Sequence, residues 1–343
     1  METLFVLLLS CIVTALALGT CRREHLVVLC HGLSGSQDDL QYLGETLTAA
    51  GATVYRSRAN EMTKSFQGIR LGGSRLADEV RELVSAGSFD SISFVGNSLG
   101  GLYARYAIRQ LFNRTDGKVA GLTPSRFLLI ASPSLGVRNF TIVEDKGFFV
   151  PDFLKRTVSQ VLYRSGEELF AFDASSLHSS LVFAMATEDE FLAPLRAFKA
   201  RRLYANLDND FVVPLGTAAF LDRDEVLRLR QTFSASSGIV HTIITNGSES
   251  DKGTIPDDPV HHMRRRLDGL GWEKRIVHFP GLLPIAHNKI CALNRRVYWL
   301  LNAVFAEGRF VMDDASAWLC GDPGDAYAAK TDFLEREVSV EGV

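Results

Sequence analysis

The chain is short of three things: a basic surplus, paired cysteines and internal repeats. Lys and Arg number 37 against 40 Asp and Glu, a formal net charge of -3, and no basic run exceeds Arg264–Arg266. A nucleic-acid binder needs a stripe of cations to neutralise phosphates, so that class is excluded. The five cysteines, Cys11, Cys21, Cys30, Cys291 and Cys320, are odd in number and scattered. Such spacing supports neither a disulfide framework nor a zinc site. No repeat period recurs along the chain.

Charge is also absent from Thr3 to Gly19, "TLFVLLLSCIVTALALG". As a helix this run reaches about 25 Å at 1.5 Å per residue, slightly short of the ~30 Å hydrocarbon core. Glu2 precedes it and Arg22 and Arg23 follow. That charge order reads as a membrane anchor or shallow insertion, with the folded part on the cytosolic side. The alternative is a signal peptide cleaved near Ala17-Leu18-Gly19, which would send the chain into the secretory pathway. Asn-x-Ser/Thr triplets at Asn113, Asn139 and Asn246 are as frequent as chance supplies and do not decide the compartment. The expected organisation is an apolar segment over 1–23, a folded domain over 24–310 and a tail over 311–343.

Beyond the apolar run, β-rich and helical patterns alternate. "HLVVLC" (25–30), "ATVYR" (52–56), "SISFV" (91–95), "RFLLIA" (126–131), "RRLYAN" (201–206) and "KRIVHF" (274–279) read as strands. Helical spacing fills Gln37–Ala50 and Gly73–Ala86, with a helix from Gly100 and a last one starting near His287. Strands this apolar, separated by helices, define an α/β class with a mostly parallel sheet covered on both faces. Two stretches break the alternation. Residues 137–199 are apolar and are expected to carry function, whereas 234–266, with "TNGSESDKGTIPDDP" inside, reads as a solvated, disordered loop.

Gly96-Asn97-Ser98-Leu99-Gly100 is a G-x-S-x-G pentapeptide between a strand and a helix. In a nucleophile elbow the serine occupies a strained turn, and side chains at Gly96 or Gly100 would collide with the neighbouring elements. A serine alcohol is a weak nucleophile at neutral pH, so a histidine must accept its proton and a carboxylate must hold that histidine. The chain order in such a fold is serine, acid, histidine. "LDNDFVVP" follows a strand end and offers Asp210, with Asp208 as the alternative; the ordinary reading of both is turn chemistry. His287, in "LPIAHNKI", is the candidate base, against a plain helix-cap role. His278 lies inside a strand, His261 and His262 on a charged helix, and His31 precedes the serine. The backbone N–H groups of Leu99 and of Leu33, in "CHGLSGS", are the candidate oxyanion donors.

The segments "HLVVLCHGLSGSQDDLQYL", "FQGIRLGGSRLADEV", "FVGNSLGGLYARYAI", "ASPSLGV", "GEELFAFD", "FKARRLYANLDNDFVVP" and "GWEKRIVHFPGLLPIAHNKI", in that order over residues 25–295, resemble the eukaryotic serine esterase family, a lipase-like branch of the α/β-hydrolases. The resemblance implies an α/β-hydrolase fold with Ser98 as nucleophile, Asp210 as acid and His287 as base. Two positions depart from the family pattern, which has histidine where Asn97 and Ser134 stand. Both are expected near the pocket, where they would bear on substrate preference.

The 137–199 stretch gathers Phe148, Phe149, Phe153, Leu154, Val158, Val161 and Leu162, and is expected to form a helical cap that receives an acyl chain, the alternative being helices that complete the core. An apolar cap suits a lipid ester, since each buried methylene contributes about 0.8 kcal/mol. The expectation is hydrolysis of lipid carboxylic esters, acylglycerol or phospholipid, through an acyl-enzyme at a membrane or lipid-droplet surface, with no metal or organic cofactor. An acyltransferase or a thioesterase would use the same residues. A catalytically silent hydrolase fold binding lipid at a membrane is the reading from a different class.

Overall fold

The computed structural model describes residues 24–140, 149–247, 258–281, 283–295 and 299–321; the apolar run Thr3–Gly19 lies outside them. In chain order the elements are β1 (His25–Cys30), α1 (Gln41–Ala49), β2 (Thr53–Arg56), α2 (Ile69–Ala86), β3 (Ser91–Asn97) and α3 (Leu99–Leu111), then a short hairpin β4 (Phe112–Asn113) and β5 (Lys118–Val119), and β6 (Thr123–Ile130). There follow α4 (Asp152–Val161), α5 (Tyr163–Leu169), α6 (Leu181–Thr187), α7 (Asp189–Arg196), β7 (Ala200–Asn206), α8 (Leu215–Ala219) and α9 (Arg223–Phe233). The chain continues through β8 (Gly238–Ile244), α10 (Pro259–Asp268), β9 (Glu273–His278), α11 (Ala286–Lys289), α12 (Asn302–Phe305) and α13 (Arg309–Cys320).

Seven strands form one sheet in the order β2-β1-β3-β6-β7-β9-β8. All neighbours are parallel except β8, which runs antiparallel to β9 at the edge. The period-two alternation of strand side chains divides the core into two layers. Leu26, Val28, Phe127, Leu129 and Ile276 enter the layer shared with α2 and α3, while Val27, Leu29, Leu128, Ile130 and Val277 enter the layer under α1 and α13. The fold is therefore α/β with helices on both faces. Parallel strands deliver their following loops to one edge, where the residues after β1, β3, β7 and β9 meet.

Three expectations need correction. The domain boundary at 310 falls inside the fold: α13 buries Val311, Met312 and Ala315 in the layer of Leu43 and Leu47, and Asp314 accepts a hydrogen bond from the Tyr204 hydroxyl at 2.5 Å. The 234–266 stretch is not wholly a loop, because β8 pairs with β9 and α10 buries Met263 and Leu267. β8 has partly buried side chains throughout, which removed the strong alternation that marks a strand. Residues 248–257 of that stretch lie outside the described residues. Finally, the second half of the expected cap belongs to the body, since α6 and α7 bury Leu181, Val182, Met185, Phe191, Leu192 and Leu195 in the core layer of α3.

One buried group at the opposite end of the sheet gives the fold an acid limit. His25, 6% exposed, has Nδ1 2.7 Å from Ser91 Oγ and Nε2 3.0 Å from Ser93 Oγ. Burial, reinforced by the Arg126 guanidinium, lowers its pKa to about 4. The unfolded chain binds this proton near 6.5, so between those two values the unfolded state holds more protons and stability rises with pH. The contribution is complete above pH 6.5 and is lost progressively towards pH 4, at most about 3 kcal/mol. Urea unfolding across that window should show a shallower pH slope for His25→Gln than for the parent chain. Parallel slopes would remove His25 from the account.

Candidate active site

β3 runs through Asn97 into α3, which begins at Leu99, so Ser98 alone makes the turn. Its backbone stands at φ 53°, ψ -128°, a conformation that costs a side-chain-bearing residue about 1–3 kcal/mol. The surrounding glycines are explained by crowding: a Cβ on Gly96 would overlap the Gly101 backbone, and one on Gly100 would overlap the carbonyl of Cys30. The turn is closed by the Ser98 N–H donating to Ile130 O at 2.8 Å.

Ser98 Oγ lies 3.0 Å from His287 Nε2, and His287 Nδ1 lies 2.9 Å from Asp210 Oδ2. A carboxylate can only accept, so Nδ1 carries the imidazole proton and Nε2 is left to accept from the serine hydroxyl. Asp210 is 5% exposed and fully engaged. Its Oδ1 accepts from the N–H groups of Val212 and Val213 at 3.0 and 2.8 Å, and its Oδ2 also accepts from Asn206 Nδ2 at 2.7 Å. Asp208 is not part of this chain of bonds; its Oδ1 faces Arg230 at 3.8 Å.

The loops carrying acid and base are stapled together. Asp210 and Ile285 form an isolated antiparallel bridge, and Ala286 N–H donates to Asn209 O at 3.2 Å. Asn209, in a left-handed conformation at φ 60°, donates its amide to Gly281 O at 2.8 Å, across the start of the histidine loop. Asn tolerates this conformation because its side chain bonds locally. A second brace joins the loop after β1 to the segment after α11: buried Asp39 accepts from Arg295 Nε at 2.6 Å and Nη2 at 2.5 Å, a bidentate pair. Asn206, Asn209, Asp39 and Arg295 are absent from the sequence-based candidates. Asn206 and Asn209 stood in "FKARRLYANLDNDFVVP" and Asp39 in "HLVVLCHGLSGSQDDLQYL", segments already singled out for other residues; Arg295 stood in none of them.

The loop after β1 packs directly on the nucleophile, since a Cβ on Gly32 would lie 2.8 Å from Ser98 Cβ. Leu33 follows Gly32 in that loop, and Leu99 opens α3, whose first N–H groups have no partner within the helix. His31 is buried with Nδ1 3.0 Å from Gly32 O, and desolvation lowers its pKa, so it stands neutral beneath the loop. The two positions that depart from the family pattern are both buried. Asn97 Oδ1 and Ser134 Oγ have no hydrogen-bond partner among the described residues.

A seven-stranded, mostly parallel sheet with a serine on a strained strand-to-helix turn, and a histidine and an aspartate delivered from later strand ends, defines the α/β-hydrolase class. Within that class, the sequence model of the family described as "Putative serine esterase (DUF676)" matches residues 21–221. The chain belongs to this family. The matched segment contains Ser98 and Asp210, and His287 lies beyond it.

Among curated relatives, "Putative lipase ROG1" of Saccharomyces cerevisiae is 31% identical over 226 residues, covering 63% of this chain and 32% of the relative. "Putative lipase C4A8.10" of Schizosaccharomyces pombe is 26% identical over 294 residues, covering 78% of this chain and 36% of the relative. The chain thus spans about a third of the length of the curated relatives it matches. Solved structures with a related outline include one from a study of Nitrososphaera gargenis carboxylesterases, at TM-score 0.37 and 14% identity, covering 83% of this chain and 90% of that one. The lin2722 product of Listeria innocua has TM-score 0.39 and 11% identity, covering 82% and 93%.

Proposed function

We propose that this protein hydrolyses carboxylic esters of lipids through an acyl-enzyme on Ser98. The observation that carries the reading is the unbroken chain of hydrogen bonds from Ser98 Oγ through His287 to Asp210. As Oγ attacks the ester carbonyl carbon, His287 Nε2 takes its proton and the imidazolium forms against the Asp210 carboxylate. The carbonyl oxygen becomes an oxyanion, held by the N–H groups of Leu33 and Leu99; such donors are each worth about 2.7–4 kcal/mol. Collapse breaks the bond to the alcohol oxygen, which leaves with the proton from His287. Water then repeats the cycle on the acyl-serine, with His287 as base and then acid, and releases the fatty acid.

The lipid part of the proposal draws support from apolar surface beside the base. A depression next to the His287 loop is lined mostly by apolar groups, Phe279, Pro280, Leu283, Ile285, Ala286 and Val304, with Lys289, whose amine is held by Glu307, as its one charged member; an acyl chain fills such a lining more favourably than water does. The names of the fungal relatives point the same way. We assign the enzyme to a membrane or lipid-droplet surface, with the folded domain on the cytosolic side.

Initial rates on p-nitrophenyl esters of increasing acyl length test the substrate class. Medium to long chains should give the highest kcat/KM, and Ser98→Ala should abolish turnover on all of them. An enzyme that prefers the acetyl ester would defeat the lipid assignment and leave esterase chemistry standing.

A further inference from the structure

α4 is built inside out. A surface helix ordinarily turns apolar residues inward and polar ones to water, yet the side chains α4 buries are Lys155 and Ser159, at 5% and 1% exposure. Lys155 Nζ donates to Arg138 O at 2.6 Å, which fixes the helix rotation from within. The outward face carries Phe153, Leu154, Val158 and Val161, continued by Phe149 before the helix and Tyr163 after it, with Phe149 82% exposed. Tyr163 meets Phe66 edge to face at 6.3 Å, which extends the apolar face to exposed Met62 in the turn after β2. Leaving this many large apolar side chains in water is unfavourable unless something covers them.

Charge and placement indicate what that is. Lys64, in the same turn as Met62, and Arg156, on α4, have no carboxylate partner among the described residues. Arg156 lies over the Phe172 ring at 4.3 Å. Two unpaired cations beside an aromatic-rich apolar face complement anionic headgroups above acyl chains. Other exposed apolar side chains follow strand C-termini, Phe211 and Val212 after β7 and Leu283 after β9, and Val304 on α12 lines one depression with Leu283. Leu71 on α2, Leu227 on α9, and Trp299, Leu300 and Leu301 between α11 and α12 do not follow a strand. Loops after parallel strands share one edge with the nucleophile, so a flat surface touching that edge meets the loops after β7 and β9 together, whereas a compact protein partner would cover a part.

We infer that the outward face of α4, with Met62, Lys64 and Arg156, docks on an anionic phospholipid surface and brings the mouth of the Ser98 site against it. The choice of partner rests on the lipid-ester reading; the docking itself needs no turnover.

Hydrogen exchange of the full-length Ser98→Ala chain reads α4 separately from any other membrane-binding segment. Vesicles of phosphatidylcholine with roughly one-third phosphatidylserine should slow exchange across 149–163 by about tenfold or more. Phe153→Glu/Val158→Glu should abolish that protection, and Leu227→Glu should leave it intact. Lys64→Gln/Arg156→Gln should weaken apparent vesicle affinity by about fivefold per charge, with no change on pure phosphatidylcholine. In the Ser98-containing chain, Lys64→Gln/Arg156→Gln should keep hydrolysis of a water-soluble butyrate ester within about twofold, since neither side chain is assigned to the catalytic groups or to the acyl-receiving side chains of the cap.

Protection that is absent in the parent chain, or unchanged by Phe153→Glu/Val158→Glu, overturns the inference. So does protection that grows with protein concentration without vesicles, which would mean that a second copy covers the face. Protection without ester hydrolysis in the parent chain would sink the esterase proposal and leave docking in place.

Discussion

Replacing His287 with alanine is expected to lower kcat for ester hydrolysis by about 10⁵–10⁶-fold, with KM little changed. The size follows from the imidazole having two duties, taking the Ser98 proton and returning it to the departing alkoxide, so that neither half-reaction proceeds well without it. No neighbouring base can substitute. His31 lies in the loop that packs on Ser98, but it is 3% exposed, its Nδ1 is engaged by Gly32 O, and desolvation disfavours the protonated ring that a base must become. Removing the ring leaves oxyanion binding alone, which accounts for the residual rate above background. Steady-state kinetics on a short ester checks this, and a loss below about tenfold would place the base elsewhere.

The second large effect separates the two acids of "LDNDFVVP". Asp210→Asn is expected to reduce kcat by about 10⁴-fold with the fold retained, because the amide is isosteric with the carboxylate and Asn206, whose oxygen has no partner among the described residues, can turn its amide to accept from the new NH₂. With its oxygen kept towards Val212 and Val213, whose N–H groups bond Asp210 Oδ1, its NH₂ would face His287 Nδ1. The imidazole would then move its proton to Nε2, the atom that has to accept from Ser98. Asp208→Asn removes the charge that faces Arg230 at 3.8 Å, keeps an oxygen that can accept from the Asn209 N–H, and should leave kcat within about threefold. Equal effects at the two positions would mean that the carboxylate acts through the loop and not through the imidazole.

The sequence carried most of the sheet, because six strands have apolar runs strong enough to read alone, from "HLVVLC" to "KRIVHF". β8 did not, since an edge strand with half-buried faces loses the contrast on which pattern reading depends. α13 fell beyond the stretch that resembles known esterases, although its burial of Val311, Met312 and Ala315 is ordinary amphipathic packing. Ser98, Asp210 and His287 stood out because each lies in a segment that follows a strand, in the chain order that such an elbow requires. The braces did not: Asn209 and the Asp39–Arg295 pair act through contacts 72 and 256 residues apart, and nothing local marks such a pair. The inverted face of α4 was legible as a gathering of Phe, Leu and Val. Which way it pointed was not, because a lysine inside and phenylalanines outside reverse the usual rule.

The central claim is that one serine, made nucleophilic by one imidazole, performs the chemistry. Intact-mass analysis after incubation with a fluorophosphonate, followed by peptide mapping, tests it most directly. A single adduct on the peptide containing Ser98, absent from both Ser98→Ala and His287→Ala, is the predicted result. An adduct on another serine, or a folded parent chain that takes none, would contradict it.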